Sequence, residues 1–266
     1  MNSTLEAIQF FANSENTVRV FEALAAGPTT SSELSEQAGA SSSTIGRILD
    51  EGESRGWIES AGNHYELTVA GEVMIDEFRA HVETIDGIQH LGEAINWLPP
   101  PARSIDYRNL RDAVVTRSSL DNPAEPFHRG IELIQAADTY RGLTSTAIPS
   151  YVRELREGLV RRELDFEGVI EASFLETLRA DPERAAPWHE FADAAAVGVY
   201  DGRVPINMHI VDDRVLIWLY EPENEGVNIQ GLLESANPEV LSWAESLYGE
   251  YWRDAEPLDR TMLPEL

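Results

Sequence analysis

The chain has 266 residues, 47 of them acidic and 20 basic, for a net charge of −27. It is 42% hydrophobic and 8% aromatic, so it can bury a core and is not a disordered chain. It has no Cys, which excludes disulfides, a thiol redox switch and any zinc site that needs thiolates. No run approaches the roughly 18 apolar residues of a membrane span, and Met1-Asn2-Ser3-Thr4 does not open a signal peptide. A soluble, cytoplasmic protein of two domains is expected.

In chain order, Leu5, Ile8, Phe10 and Phe11 form a first apolar stretch. From Thr29 to Thr68 the order of elements is helix, turn, helix, hairpin. Thr30 stands three residues ahead of Glu33 with capping chemistry, Leu34 and Ala38 give the short helix an apolar side, and Gly39 ends it. A second helix starts at Ser41-Ser42-Ser43-Thr44, carries Ile45, Ile48 and Leu49 at three- and four-residue spacing, and runs toward Gly56. Trp57-Ile58-Glu59 and Tyr65-Glu66-Leu67 alternate apolar and polar residues around Ser60-Ala61-Gly62-Asn63, which predicts a hairpin. Residues 29–68 therefore read as a winged helix-turn-helix. Ser42, Ser43, Thr44 and Arg47 lie on its second helix, and Asn63 and His64 at the wing tip. Small hydroxyls followed by Arg47 one turn on suit a phosphate backbone and base edges, so double-stranded DNA is the expected partner.

Thr68 to Trp97 is a long helical pattern through Val73, Phe78, Val82, Ile85, Ile88, Leu91 and Ile95, closed by Leu98-Pro99-Pro100-Pro101. This stripe packs either on the chain itself or on a twofold mate. A homodimer is favoured because paired DNA half-sites need two reading heads. The first apolar stretch could join the same interface. The domain reading is 1–70 winged helix, 71–102 linker and dimerisation helix, and 103–266 regulatory domain.

The last segment alternates strands and helices. Strands are expected at 113–116, 140–144, 164–170 and 196–200, with a hairpin of 204–211 and 215–220 around Asp212-Asp213-Arg214, and a last strand at 227–232. Helices are expected at 127–137, 151–161, 173–180, 182–192 and 238–252, and Glu221–Gly226 is expected as a loop. The fold class is α/β (α+β), with a mixed sheet in the C-terminal domain.

Asn16 to Leu24, Ser32-Glu33-Leu34, Ser43 to Leu49, Trp57-Ile58 and Tyr65 to Thr68 together resemble the winged-helix domain of archaeal one-component transcription regulators. The layout after residue 103 resembles the C-terminal sensor domain of methanogenesis regulators. It is similar, more distantly, to the phospholipase D-like sensor of TrmB-type sugar regulators. An active phospholipase half carries His-x-Lys, four residues, Asp, and later Gly-Ser/Thr-x-Asn. Here His209-Ile210-Val211 has Val in the Lys place, and Ser235-Ala236-Asn237 is a remnant of the later element. The resemblance implies a phospholipase-like fold reused for binding, because phosphoryl transfer without its cation leaves the charge unstabilised.

All basic residues are Arg, and a Lys-free, acid-rich chain resembles proteins of halophilic archaea. Residues 1–80 hold 13 acidic residues and 4 Arg, so the DNA-binding reading cannot lean on a basic surface and must rest on geometry, base contacts and bridging cations. Molar salt would screen the self-repulsion, with a Debye length of ~3 Å at 1 M.

Binding crevices in such sheets lie beyond strand ends. The candidate ligand residues are Arg141, Thr144, Ser145, Glu171, Arg203, Asn207, His209 and Trp218. Arg beside hydroxyls suits a carboxylate or phosphate, and Trp218 could stack on a sugar or aromatic ring. Each also has a structural reading: Trp218 as core, His209 as a hydrogen-bonded interior residue, Arg141 as half of a surface ion pair. There is no Gly-x-Gly-x-x-Gly, phosphate loop or Gly-x-Ser-x-Gly, and His64, His81, His90, His128, His189 and His209 lack metal spacing, so no cofactor, metal or catalytic residue is assigned. The function expected is a homodimeric, ligand-sensing transcription regulator of a halophilic archaeon. The alternatives are a diverged phosphodiesterase-like enzyme fused to a winged helix, and a winged-helix adaptor that binds proteins without a ligand.

Overall fold

The computed structural model describes residues 2–161, 163–221 and 228–265. The chain divides into two compact units, Met1–Glu83 and Thr84–Leu266. The loop expected at 221–226 and the start of the strand expected at 227 lie outside the described residues, apart from Glu221.

In the first unit, α1 (Asn2–Ala12) and α2 (Glu15–Ala25) precede a two-residue strand β1 (Thr29–Thr30), α3 (Ser31–Ala38), α4 (Ser42–Ser54), and the hairpin β2 (Ile58–Ala61) and β3 (His64–Leu67). The three strands form a sheet in the order β1-β3-β2. Thr30 caps α3 through the Glu33 N–H while Glu33 accepts the Thr30 backbone N–H, the reciprocal box read from sequence. Those bonds to Thr30 and Thr29 hold the Glu33 carboxyl down to about 2. Gly39, at φ 62°, takes the left-handed conformation that turns the chain from α3 toward α4. Ser41 caps α4 by accepting the Thr44 N–H, a bond whose loss costs a helix about 0.5–2 kcal/mol.

The core of this unit is Val20, Phe21, Leu24, Leu34, Ile45, Ile48, Leu49, Ile58 and Ile75, with Phe10 and Phe11. Phe10 and Phe11, in the stretch that could join a dimer interface, are not available for one. Instead they are buried and pack on Phe21 and Trp57 with ring centroids 4.9–5.8 Å apart. The sequence shows two adjacent aromatic residues but not which face of the bundle α1 lies on. Leu5 and Ile8 remain exposed.

The long helix α5 (Val69–Leu91) ends earlier than expected. Gly92 adopts φ 53°, and residues 92–97 continue as a 3-10 helix, so Ile95 is not on the α5 stripe. Phe78 packs on the core of the first unit, and Leu91 is fully buried in the second. Val73, Val82, Ile85 and Ile88 are exposed.

The second unit is a three-layer sandwich. Its strands are β4 (Val114–Arg117), β5 (Thr139–Thr144), β6 (Asp165–Glu171), β7 (Ala196–Tyr200), β8 (Met208–Val211), β9 (Arg214–Tyr220), β10 (Ile229–Ser235) and β11 (Glu256–Pro257). They form one sheet in the order β11-β7-β6-β5-β8-β9-β10-β4. β5-β6-β7 are parallel and the other pairings antiparallel, the mixed sheet expected. One face is covered by α6 (Glu125–Gln135), α7 (Pro149–Arg161), α8 (Ala172–Arg179) and α9 (Pro182–Ala194). The other is covered by α10 (Pro238–Asp254) and residues 91–113. Both faces are buried, so central strands such as β9 read Val215-Leu216-Ile217-Trp218-Leu219 without alternation.

The first hairpin strand is shorter than the expected 204–211. Residues 204–207 are irregular, and Pro205 offers no N–H to a ladder. Among the described residues no helix is long and apolar enough to cross a membrane.

Candidate binding surfaces

On α4, Ser43, Gly46, Arg47 and Asp50 recur at three- and four-residue steps, the face opposite the buried Ile45, Ile48 and Leu49. Ser42, Ser43 and Arg47 are exposed and Thr44 half-buried. The Ser43 and Thr44 hydroxyls each lie 2.9 Å from Ser41 Oγ, so both already take part in the cap. Arg47 Nη1 lies 3.8 Å from Glu51 Oε2 with most of the guanidinium side chain in solvent, an ion pair worth little. Asn63 and His64 are exposed at the tip of the hairpin. The six residues thus fall in one unit, on the second helix and the wing, as the order of elements implied.

In the second unit the expected ligand residues separate onto two faces of the sheet. Side chains alternate along β5, so Tyr140, Gly142 and Thr144 point one way and Arg141 and Leu143 the other. Arg141 pairs in register with Ile210 and donates to Glu245 of α10 at 2.8 Å, with its guanidinium 6.0 Å from the Tyr248 ring centroid. His209 pairs with Gly142 on the opposite face. Arg141 therefore does not join His209, and the expected rim of Arg141, Thr144 and His209 is corrected: sequence position near a strand end does not tell the parity of the pleat. Glu171 is also used elsewhere. Its carboxylate accepts the Val204 N–H at 2.8 Å and the Ser173 hydroxyl, tying the end of β6 to the approach to β8. Arg203 is exposed and does not line the cavity described next.

Thr144, Asn207, His209 and Trp218 do come together, around a cavity between the sheet and α7 and α9. Its water-accessible volume is about 80 Å³, smaller than the ~150 Å³ of an apolar cavity that takes up benzene. Ser145 stands at its edge, where its backbone N–H donates to Asn207 Oδ1 at 3.0 Å, and Thr144 Oγ1 lies 2.7 Å from the same oxygen. The walls are otherwise apolar, from residues such as Tyr151, Leu155, Phe166, Trp188 and Phe191.

The floor follows from a register that the sequence does not show. Gly142 on β5 pairs with Gly168 on β6, and Gly142 also pairs with His209 on β8. Two side chains are thus missing next to each other on one face, and Tyr140 and Phe166 stand beside the gap.

His209 is 5% exposed, and burial pulls its pKa down to about 3, so it is neutral. The Trp218 indole N–H donates to Nε2 at 2.9 Å, and Tyr140 Oη lies 2.6 Å from Nδ1. Trp218 is indeed core, and its polar edge is spent on His209. Val211, on the same face as His209, is 2% exposed. Ser235 and Asn237 serve the helix after them: Asn237 accepts the Glu239 N–H at 2.9 Å and caps α10. A buried neutral imidazole whose two nitrogens are occupied, beside Val211 and not a cation, is not arranged for phosphoryl transfer.

These two units have relatives. Residues 5–90 match the model of the HVO_A0261 N-terminal domain, and residues 123–254 match that of the middle domain of the methanogenesis regulatory protein FilR1. The first match falls on the winged helix-turn-helix and α5, and the second on the sheet domain from α6 to α10. Among solved structures, it is similar to TrmBL2, an archaeal chromatin protein, at 16% identity over 95% of this chain and 99% of that one, with a TM-score of 0.43. It is also similar to the phospholipase D family member Nuc from Salmonella typhimurium, at 15% identity over 55% of this chain and 97% of that one, TM-score 0.44. NucT from Helicobacter pylori stands at 13% identity over 55% and 99%, TM-score 0.43. No curated protein matches the chain.

Proposed function

We propose that the protein is a DNA-binding transcription regulator that acts as a homodimer and does no chemistry, with a small-molecule pocket in its second unit. The observation that carries this reading is the face of α4: Ser42, Ser43 and Arg47 lie exposed on the second helix of a winged helix-turn-helix, with Asn63 and His64 on the wing. The match of residues 123–254 to the middle domain of the methanogenesis regulatory protein FilR1 agrees with that assignment. Dimerisation is supported by the exposed apolar positions of α5, and the pocket by the cavity under α7. A phosphodiesterase is disfavoured by the state of His209, and an adaptor without a ligand by the cavity itself.

The net charge of the first unit means few phosphates are neutralised by arginine, so affinity rests on base contacts and on a concentrated cation. The reading is tested by genome-wide occupancy of the full chain at native KCl against Arg47→Ala. A base contact by such a residue is worth ~1–3 kcal/mol, so occupancy at operator sites should fall about fivefold or more. Equal occupancy by the variant would remove α4 from the DNA.

A further inference from the structure

The chain of hydrogen bonds under the cavity has a direction. The Trp218 indole N–H can only donate, so His209 Nε2 must be the accepting nitrogen. A neutral imidazole then carries its proton on Nδ1, and that N–H donates to Tyr140 Oη, 2.6 Å away. Tyr140 has thereby accepted, and its own O–H remains to be donated. Tyr140 is 4% exposed and lines the cavity, and no protein acceptor for that proton is found among the described residues. The missing side chain of Gly142 leaves open the space beside Oη, where a Cβ would stand 3.1 Å away. A second donor lies close by. Asn207 is 7% exposed, its Oδ1 is taken by the Ser145 N–H, and its amide nitrogen has no protein acceptor among the described residues.

The cavity therefore offers two donors, aromatic and aliphatic walls, and no charged side chain. A carboxylate or phosphate entering it would lose its hydration without meeting a cation, since the arginine expected there lies on the other face of the sheet. We propose that the pocket of the second unit takes a small, neutral, largely apolar molecule bearing a carbonyl or ester-type oxygen, whose oxygen accepts from Tyr140 and Asn207. This rests on the reading of the second unit as a ligand-binding domain and names its ligand class. Trp218, two bonds back along the chain, reports on occupancy, because an acceptor on Tyr140 polarises the bonds behind it.

The test uses the full chain in molar KCl and three probes of equal chain length, small enough for the cavity: acetone, propane and propanoate. Binding is followed by the NMR signal of the Trp218 indole N–H. Saturable binding of acetone is expected, roughly tenfold tighter than propanoate and threefold or more tighter than propane. Tyr140→Phe should weaken the ketone at least threefold and leave propane unchanged. Gly168→Val, which fills the floor without touching the Trp218-His209-Tyr140 chain, should abolish the titration while the indole signal persists. Preferential binding of propanoate would overturn the proposal, as would ketone binding indifferent to Tyr140→Phe or Gly168→Val. No saturation by any probe would show a cavity for water only. Operator occupancy is measured separately: its loss in Arg47→Ala with an intact ketone titration separates the DNA reading from this one.

Discussion

Gly142 on β5 lies directly across from Gly168 on β6, so two neighbouring parallel strands leave the same spot of the sheet without side chains. The two glycines are not equivalent. A Cβ on Gly168 would stand 3.3 Å from Phe166 Cε2, a contact a small shift of the ring relieves, whereas one on Gly142 would stand 2.9 Å from Tyr140 Cε1 and 3.1 Å from its hydroxyl. Gly168→Ala is expected to change Tm by no more than about 4 °C. Gly142→Ala should destabilise by about 1–3 kcal/mol, through overpacking against the bonded Tyr140. Thermal melts of the two variants side by side check the difference.

His209 makes stability depend on pH. Its folded pKa, about 3, lies below the ordinary 6.5, so the unfolded chain binds the proton more readily. The contribution is complete above pH 6.5 and is lost as pH falls toward 3, at about 1.4 kcal/mol per pH unit. Tyr140 and Tyr151 are the titratable groups whose rings lie against it, and both stay neutral in that range. His209→Gln keeps one donor and one acceptor but does not titrate. The wild type should lose stability relative to this variant between pH 6 and 4 in urea melts at fixed KCl. A constant difference would mean that the imidazole is not held neutral.

Salt should act on the whole chain. With 27 net negative charges, many of the ion pairs are exposed, such as Arg19–Glu15 and Arg161–Glu157, and offset little of the repulsion. Screening is expected to raise Tm by 10 °C or more from 0.1 to 3 M KCl, because the Debye length falls from about 10 Å to under 3 Å. A flat Tm over that range would exclude a salt-dependent fold.

The exposed Ile85 and Ile88, 40% and 39% accessible, stand three residues apart on α5. If they are covered by a second copy, Ile85→Glu with Ile88→Glu should turn a dimer into a monomer. Each buried isoleucine contributes about 1.5–3 kcal/mol, so the pair represents a hundredfold or more in the dimer dissociation constant. Light scattering at fixed KCl reads the mass. A wild type that is already monomeric at high concentration would remove the interface.

Much of the molecule was legible in the residues alone. The winged helix declares itself through caps and breaks that are local: Thr30 with Glu33, Gly39, Ser41, and Gly62-Asn63 each act within a few residues of where they stand. The alternation of strands and helices after residue 113 was legible for the same reason, to within a residue or two at most ends. Where the ends of elements slipped, a single residue inside the expected element decided. Gly92 ended α5 before the prolines did, and Pro205 kept residues 204–207 out of the sheet.

The candidate site divides along the same line. Sequence supplied its members Thr144, Asn207, His209 and Trp218, and it supplied Val211 as the reason to doubt a phosphodiesterase. It could not supply the parity of the pleat, which sends Arg141 to Glu245 and Tyr140 to His209, nor the register that sets Gly142 beside Gly168. Tyr140, the group that gives the cavity its polarity, carried no signal of its own in a run that reads Thr139-Tyr140-Arg141-Gly142-Leu143. Caps, breaks and periodicity are written within a turn or a strand, so the chain by itself determined the elements and their order. Which faces meet is fixed by pairing between residues far apart in the chain, as with Tyr140 and His209 or with Val114 and Glu234, and so only the tertiary structure decided that the second unit holds an apolar cavity with an unspent hydroxyl and no charge.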